Sequence, residues 1–154
     1  FSAILGLSGC GGFNGGTAHV IKEVSLAAGS APKGVVEGPD NNLWFVESGT
    51  NKIGRLDSNN LNITEFAITT ASSGSTEICT NPDGKLYFSE TGVDKIAQMT
   101  TLGVITNEFP VTASAAPGSI CTGPDGNLWF TELNANKIGR ITPTGAVTPT
   151  RCRR

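Results

Sequence analysis

The chain has 154 residues, 38% of them apolar and 16% charged, with 11 Lys and Arg against 13 Asp and Glu for a net charge of −2. Arg151, Arg153 and Arg154 stand at the extreme carboxyl end, so no basic stripe of the kind a phosphate backbone requires runs through the rest, and a nucleic-acid partner is not expected. No segment approaches the ~20 apolar residues of a membrane-spanning helix.

From the amino end, Phe1-Ser2-Ala3-Ile4-Leu5-Gly6-Leu7 is a short apolar run, and Leu7-Ser8-Gly9-Cys10 resembles a bacterial lipobox. In a lipobox, small residues let the signal peptidase approach a cysteine that is then lipidated. Residues 1–10 therefore read as a clipped lipoprotein signal with Cys10 as the lipidation site, since neither an initiator Met nor a basic leading region precedes it. The competing reading makes the run an ordinary strand and Cys10 a buried thiol. Residues 11–19 have the Gly-rich composition of a flexible tether. His19, the single histidine, belongs to that tether and is expected to be solvated. These features predict an exported protein, held at the bacterial cell envelope through acyl chains on Cys10.

Residues 20–150 repeat with a period of about 42, with Pro39, Pro82 and Pro124 in equivalent places. The motif Gly-Pro-Asp-Xaa-Asn-Leu-Trp-Phe-Xaa-Glu, followed by Asn-Lys-Ile-Gly-Arg, occupies 38–55 and 123–140, with a diverged copy at 81–98. A period of about 40–45 marks either helical pairs or four-stranded propeller blades. Nothing in the repeat shows helical periodicity, whereas short β-rich runs end at Gly, Pro, Asn and Asp. Strands are predicted over 20–26, 32–37, 42–47, 52–56 and 63–68, with the last matched by 104–111 in the next copy. Pro-Asp-Gly and its relatives supply the turns. The unbroken run Leu43-Trp44-Phe45-Val46 suits a strand covered on both faces, as blades are by their neighbours. The aromatics here and at Tyr87, Phe88, Trp129 and Phe130 are read as core.

The fold class is all-β: a β-propeller of four-stranded antiparallel blades, with units at about 20–68, 69–111 and 112–150. Rings close with about four to eight blades, so about three blades leave the ring incomplete. The last unit frays at Val147-Thr148-Pro149-Thr150, and the basic tail Arg151-Cys152-Arg153-Arg154 fits no part of the repeat. Three arrangements stay open: a piece of a longer or truncated protein, two chains forming a six-bladed ring through their open edges, and an open monomeric arc. Cys79 and Cys121 are equivalent to Val36 and read as small buried side chains, with an inter-blade disulfide as the alternative. Lys52, Lys95 and Lys137 read as solvated strand-edge residues.

The series Gly-Pro-Asp-Gly-Asn-Leu-Trp-Phe-Thr-Glu and Asn-Lys-Ile-Gly-Arg-Ile-Thr-Pro-Thr-Gly, at 123–132 and 136–145, resembles the virginiamycin B lyase, or streptogramin lyase, family of seven-bladed propellers. The resemblance covers about residues 20–148. It implies a magnesium-assisted elimination that linearises a cyclic depsipeptide at its ester bond, with a base for the proton α to the carbonyl and a cation for the enolate. The family's glutamate positions match Glu47, Glu90 and Glu132, which are equally read as repeat glutamates bonding backbone amides. Its Pro-His-Gly-Ile histidine positions read Lys33, Thr76 and Gly118 here. Glu77, beside Thr76, is a further ligand or metal position. Two readings follow: a blade set that binds a small molecule or protein on the propeller face, and an inactive portion of a magnesium-dependent lyase.

Overall fold

In the computed structural model residues 23–146 are described, and among them are eleven strands and no helix. β1 (Pro32–Glu37), β2 (Leu43–Glu47), β3 (Lys52–Leu56) and β4 (Ile63–Ala67) form one antiparallel meander. β5 (Ile78–Asn81), β6 (Lys85–Glu90), β7 (Lys95–Met99) and β8 (Ile105–Pro110) form a second. β9 (Pro117–Thr122), β10 (Leu128–Glu132) and β11 (Lys137–Ile141) form a third sheet, of three strands. β1, β5 and β9 approach one another from blade to blade, so they are the innermost strands. The result is an all-β arc of propeller blades that does not close into a ring.

The repeated motif is a local lock. Asp40 accepts the Trp44 indole N–H at 2.9 Å and the Asn42 side-chain amide at 2.8 Å, pinning the turn to the strand that leaves it. Asp125 does the same for Trp129 at 3.0 Å and Asn127 at 2.8 Å. Those two bonds, Asn127 first, hold the Asp125 carboxyl down at about 2. In the middle copy Tyr87 replaces Trp, and its hydroxyl donates to Asp83 at 2.7 Å. The turns need a left-handed residue, supplied by Asn41 (φ 58°), Gly84 (φ 77°) and Gly126 (φ 72°).

Gly38 and Gly123 have a second reason to be glycine: the indole lies where their side chains would go. A Cβ at Gly38 would stand 2.4 Å from Trp44 Cδ1, and one at Gly123 2.4 Å from Trp129 Nε1. The smaller phenol of Tyr87 leaves room for Asn81 at this position. The neighbouring strand follows the same substitution. Trp44 is paired in register with Arg55 and Trp129 with Arg140, each guanidinium lying over the indole at 5.7 and 5.6 Å. Tyr87 is paired with Gln98, whose amide donates to the phenol oxygen at 2.5 Å.

Alternation along β2, β6 and β10 sends one side chain to each neighbour. Trp44, Val46 and Ile53 pack against Ile78, Leu86 and Phe88 between the first and second blades. Cys79, Tyr87 and Ile96 pack against Ile120, Leu128 and Phe130 between the second and third. The middle blade is therefore apolar on both faces, as the run in its sequence predicts, and Leu86 to Glu90 are all buried. Phe45 and Phe130 also lie over Gly54 and Gly139, their in-register partners, where a Cβ would come within 2.2 and 2.3 Å of the ring.

Several expectations are corrected. The predicted strand over 20–26 is unpaired in its described part, residues 23–26, because no described sheet stands beside it to complete. The outer strands end at Ala67 and Pro110, just inside the predicted limits. Lys52 and Lys95 are ion-paired with Glu65 and Glu108 across the sheet, while Lys137 is exposed. Cys79 is buried but Cys121 is exposed, and both are free thiols. Cys79 faces the third blade, whereas Cys121 alternates with buried Ile120 and so leaves β9 on the opposite side. Burial pushes the Cys79 thiol up to about 12. The expectations for the signal, Cys10, the tether, His19 and the tail fall outside the described residues.

The two kinds of glycine are separable by mutation. Gly38→Ala forces a Cβ into the fully buried Trp44 and is expected to cost about 3 kcal/mol, the upper end for overpacking. Gly84→Ala meets nothing within 4 Å and suffers only its positive φ, for about 1 kcal/mol. Urea unfolding of the two variants measures both, and an equal or larger loss at Gly84 contradicts the packing role of Gly38.

Candidate functional site

The positions singled out in the sequence gather at one end of the blades. β1 begins at Pro32, which is in register with Glu47 at the end of β2, and β9 begins at Pro117, opposite Glu132. Antiparallel pairing thus sets the start of each inner strand beside the closing glutamate of the next strand outward. The histidine-equivalent positions Lys33, Thr76 and Gly118 and the three repeat glutamates share that end.

Each histidine-equivalent position is occupied differently. Lys33 is exposed on β1. Thr76 is bound into a hydroxyl cluster, with its Oγ1 3.1 Å from Ser89 Oγ and 3.2 Å from Thr91 Oγ1. Thr91 in turn donates to the Pro117 carbonyl at 2.7 Å, tying the second blade to the third. Gly118 is buried, and a Cβ there would lie 2.9 Å from Thr131 Oγ1 and 3.2 Å from Leu133. No side chain enters at Gly118 unless that wall moves. Glu77 is half-buried over Gly34 of the neighbouring inner strand, where a Cβ would stand 2.9 Å from Glu77 Oε2.

The three glutamates are all buried, yet none accepts a backbone amide, contrary to the expectation from sequence. Glu47 accepts the Thr50 hydroxyl at 2.9 Å through one oxygen, and its other oxygen has no partner. Glu132 accepts the Thr112 hydroxyl at 3.1 Å. Glu90 has neither oxygen partnered. Thr70, the counterpart of Thr112, donates instead to Glu108, which also accepts from Lys95 at 2.6 Å. Burial, reinforced by the Glu108 charge and eased by Lys95, raises the Glu90 carboxyl to about 7. The role of Glu108 was legible only as a Glu recurring 13 residues after Lys52 and Lys95, at Glu65 and Glu108.

Chemically, this end offers hydroxyls, one half-buried carboxylate and buried carboxyls shielded from solvent. Magnesium requires several oxygen ligands, carboxylates among them, in near-octahedral array. Among the described residues no three His, Cys, Asp or Glu converge in a metal-binding group. With Glu90 raised to about 7 and so only partly ionised at neutral pH, and with no acidic cluster gathered around Glu77 among the described residues, these blades do not fit the ion.

Glu90 makes stability depend on pH in a defined direction. Its folded carboxyl keeps a proton up to about 7, against an ordinary 4.5, so between those values the folded state binds more protons than the unfolded. Its contribution is fully present below 4.5 and is lost as pH rises to about 7, on the order of 3 kcal/mol. Glu108, lowered chiefly by its bond from Lys95, has the opposite sign and acts below 4.5. Urea midpoints are therefore expected to fall from pH ~5 to pH ~8, and Glu90→Gln is expected to flatten that fall. An unchanged slope in the variant contradicts the assignment.

The virginiamycin B lyase family model matches residues 17–152. Among solved structures, a catalytically inactive histidine-to-alanine virginiamycin B lyase from Staphylococcus aureus with quinupristin is 37% identical, with a TM-score of 0.81. The match covers 88% of this chain and 46% of that one. A streptogramin B lyase structure is 36% identical with a TM-score of 0.75, over 79% of this chain and 41% of that one. A chain of the nidogen/laminin complex, at 20% identity and a TM-score of 0.66 over 77% and 48%, shares the fold alone. No curated protein matches the sequence. The chain thus spans less than half the length of the lyase structures it resembles. With the family match running through all three sheets and the repeat motif forming the locks described above, the chain belongs to the virginiamycin B lyase family.

Proposed function

We propose that this chain is a binding and scaffold portion of a streptogramin-lyase-like propeller, exported and lipid-anchored through Cys10, that performs no elimination itself. One observation carries the reading: the three histidine-equivalent positions are an exposed lysine, a threonine sequestered by Ser89 and Thr91, and a glycine walled in by Thr131 and Leu133. Removing a proton α to a carbonyl needs a general base near neutrality within reach of the substrate. A threonine hydroxyl ionises far too high for that role, and Gly118 carries no side chain at all. Glu90 has a suitable pKa, but its burial keeps any substrate away.

The second reading, a portion of a magnesium-dependent lyase that opens streptogramin B antibiotics by C–O elimination, is favoured by the identity to a lyase crystallised with quinupristin. In that case the base and the metal ligands come from blades other than these. The face carrying Lys33, Thr76 and Glu77 then contributes contacts to the ligand and not chemistry. Export and anchoring rest on the lipobox-like Leu7-Ser8-Gly9-Cys10 and the glycine tether that follows it.

Purified chain incubated with quinupristin and magnesium is expected to yield no linear product by mass spectrometry, and turnover above a buffer blank contradicts the reading. Mass spectrometry of the native protein tests the anchor separately. A diacylglyceryl Cys10 at the mature amino end is expected, and an unmodified Cys10 still preceded by residues 1–9 overturns it.

A further inference from the structure

The second and third blades are joined at their turn end by a small relay of hydrogen bonds. Asn81, buried at the end of β5, donates through its side-chain amide to the Gly126 carbonyl at 3.0 Å and to the Thr122 hydroxyl at 3.3 Å. Thr122 in turn donates to the Thr80 carbonyl at 2.5 Å. The amide oxygen of Asn81 accepts the Asp83 backbone N–H at 3.3 Å, so both ends of that side chain are engaged.

Between the first and second blades the same relay lacks its amide. The repeat places Gly38 where the next blade has Asn81, and Glu37, Thr80 and Gly84 where the next interface has Thr80, Thr122 and Gly126. Thr80 faces the first blade, since it alternates with Cys79 and shares the side of Ile78, which packs there. Among the described residues no side chain bonds the Glu37 carbonyl, the Thr80 hydroxyl or the Gly84 carbonyl. Residues 37, 80 and 84 instead line a cleft of about 650 Å³, together with Val36, Pro39 and Pro82. The cleft lies at the turn end of the inner strands, whereas Lys33, Thr76 and Gly118 stand at the end where those strands begin. Its walls are the facing sides of two adjacent described blades.

The walls select what can enter. They present acceptor oxygens, and neither lysine nor arginine lines them. A guest amide suits the place of Asn81 but not this one. Its oxygen would lack the N–H that Asp83 gives Asn81 and would meet Asp40, whose Oδ1 stands 2.5 Å from a Cβ built on Gly38. A carboxylate there repels an acceptor and attracts a cation. An ammonium carries three N–H donors and no acceptor, and Val36, Pro39 and Pro82 offer apolar surface to an alkyl stem. We propose that this cleft binds a primary alkylammonium group, whose three donors meet the Glu37 carbonyl, the Thr80 hydroxyl and the Gly84 carbonyl. The guest then joins the first blade to the second as Asn81 joins the second to the third. The site makes no use of the face that carries Thr76 and Glu77, so it stands apart from the function proposed for that face.

Titration of the isotope-labelled full chain with n-butylammonium chloride, followed by amide NMR, is expected to give saturable shifts at Val36, Gly38, Thr80 and Gly84. Tetramethylammonium, a cation without an N–H, and acetamide, an uncharged donor, are expected to leave those peaks in place at the same concentrations. No saturable shift with n-butylammonium overturns the proposal, and so does equal binding of either control. Nα-acetyl-lysine methylamide separates the sources of the group: tighter binding than n-butylammonium assigns the cleft to a lysine side chain in a peptide, and equal or weaker binding to a free amine. Thr80→Val keeps the shape of the side chain and is expected to weaken n-butylammonium binding about fivefold by removing one acceptor. Gly38→Asn with Trp44→Tyr and Arg55→Gln copies the set of the middle blade. That variant is expected to keep the circular dichroism of the folded protein and lose the binding, its own amide having filled the cleft. Undiminished binding in either variant refutes the site.

Discussion

A propeller blade is a sheet with two apolar faces, and it cannot hide both by itself. Everything else in this structure depends on that constraint. Among the described residues the second blade alone is covered on both sides, and its central strand buries every residue from Leu86 to Glu90. The outer two blades each leave one face to a neighbour that is not among the described residues, and the exposed large side chains Val35, Leu43, Leu133 and Ile138 lie there or at its rim. Repeat proteins divide their stability between the units and the interfaces joining them, so the two complete interfaces hold this arc together.

Within a blade, the repeat is held by a small set of mutually dependent choices. Asp at the turn receives the indole or phenol, and Gly before it makes space for the larger ring. Arg or Gln on the adjacent strand then covers or bonds that ring. The middle copy changes all three together, to Tyr87, Asn81 and Gln98, and keeps the connection intact through Asp83. What looks like divergence in that copy is a second solution to the same packing problem. Arg55 and Gln98 also carry the tie to the following blade, so the residue beside the ring links local locking to assembly.

The closing glutamates show how context separates identical positions. Glu47, Glu90 and Glu132 end equivalent strands, yet one hydroxyl satisfies Glu47 in part, another satisfies an oxygen of Glu132, and Glu90 has none. Glu90 differs from Glu47 because Val93 stands where Thr50 donates, and from Glu132 because Thr70 is drawn to the Lys95–Glu108 pair across the blade. A buried carboxyl without partners keeps its proton. The hydroxyl cluster at Thr76 and the wall behind Gly118 fill two of the three positions at which the family resemblance implies a histidine.

The sequence by itself determined the blade. The period of about 42, the Pro-Asp-Gly turns and the Leu-Trp-Phe runs act over a few residues, where backbone preference and strand alternation are local properties. Strand limits came within a residue or so, and the aromatics proved to be core except Trp129, which is half-buried because no described blade covers its face. Only the tertiary structure decided which face each side chain meets. The sequence treats Cys79 and Cys121 alike, but one is buried under a blade and the other is not. The same holds for Ile96 and Ile138, and for residues 23–26, whose strand pattern has no sheet beside it. Burial and protonation at such positions depend on contacts tens of residues away along the chain, and equivalent repeats differ in those contacts even where their letters agree.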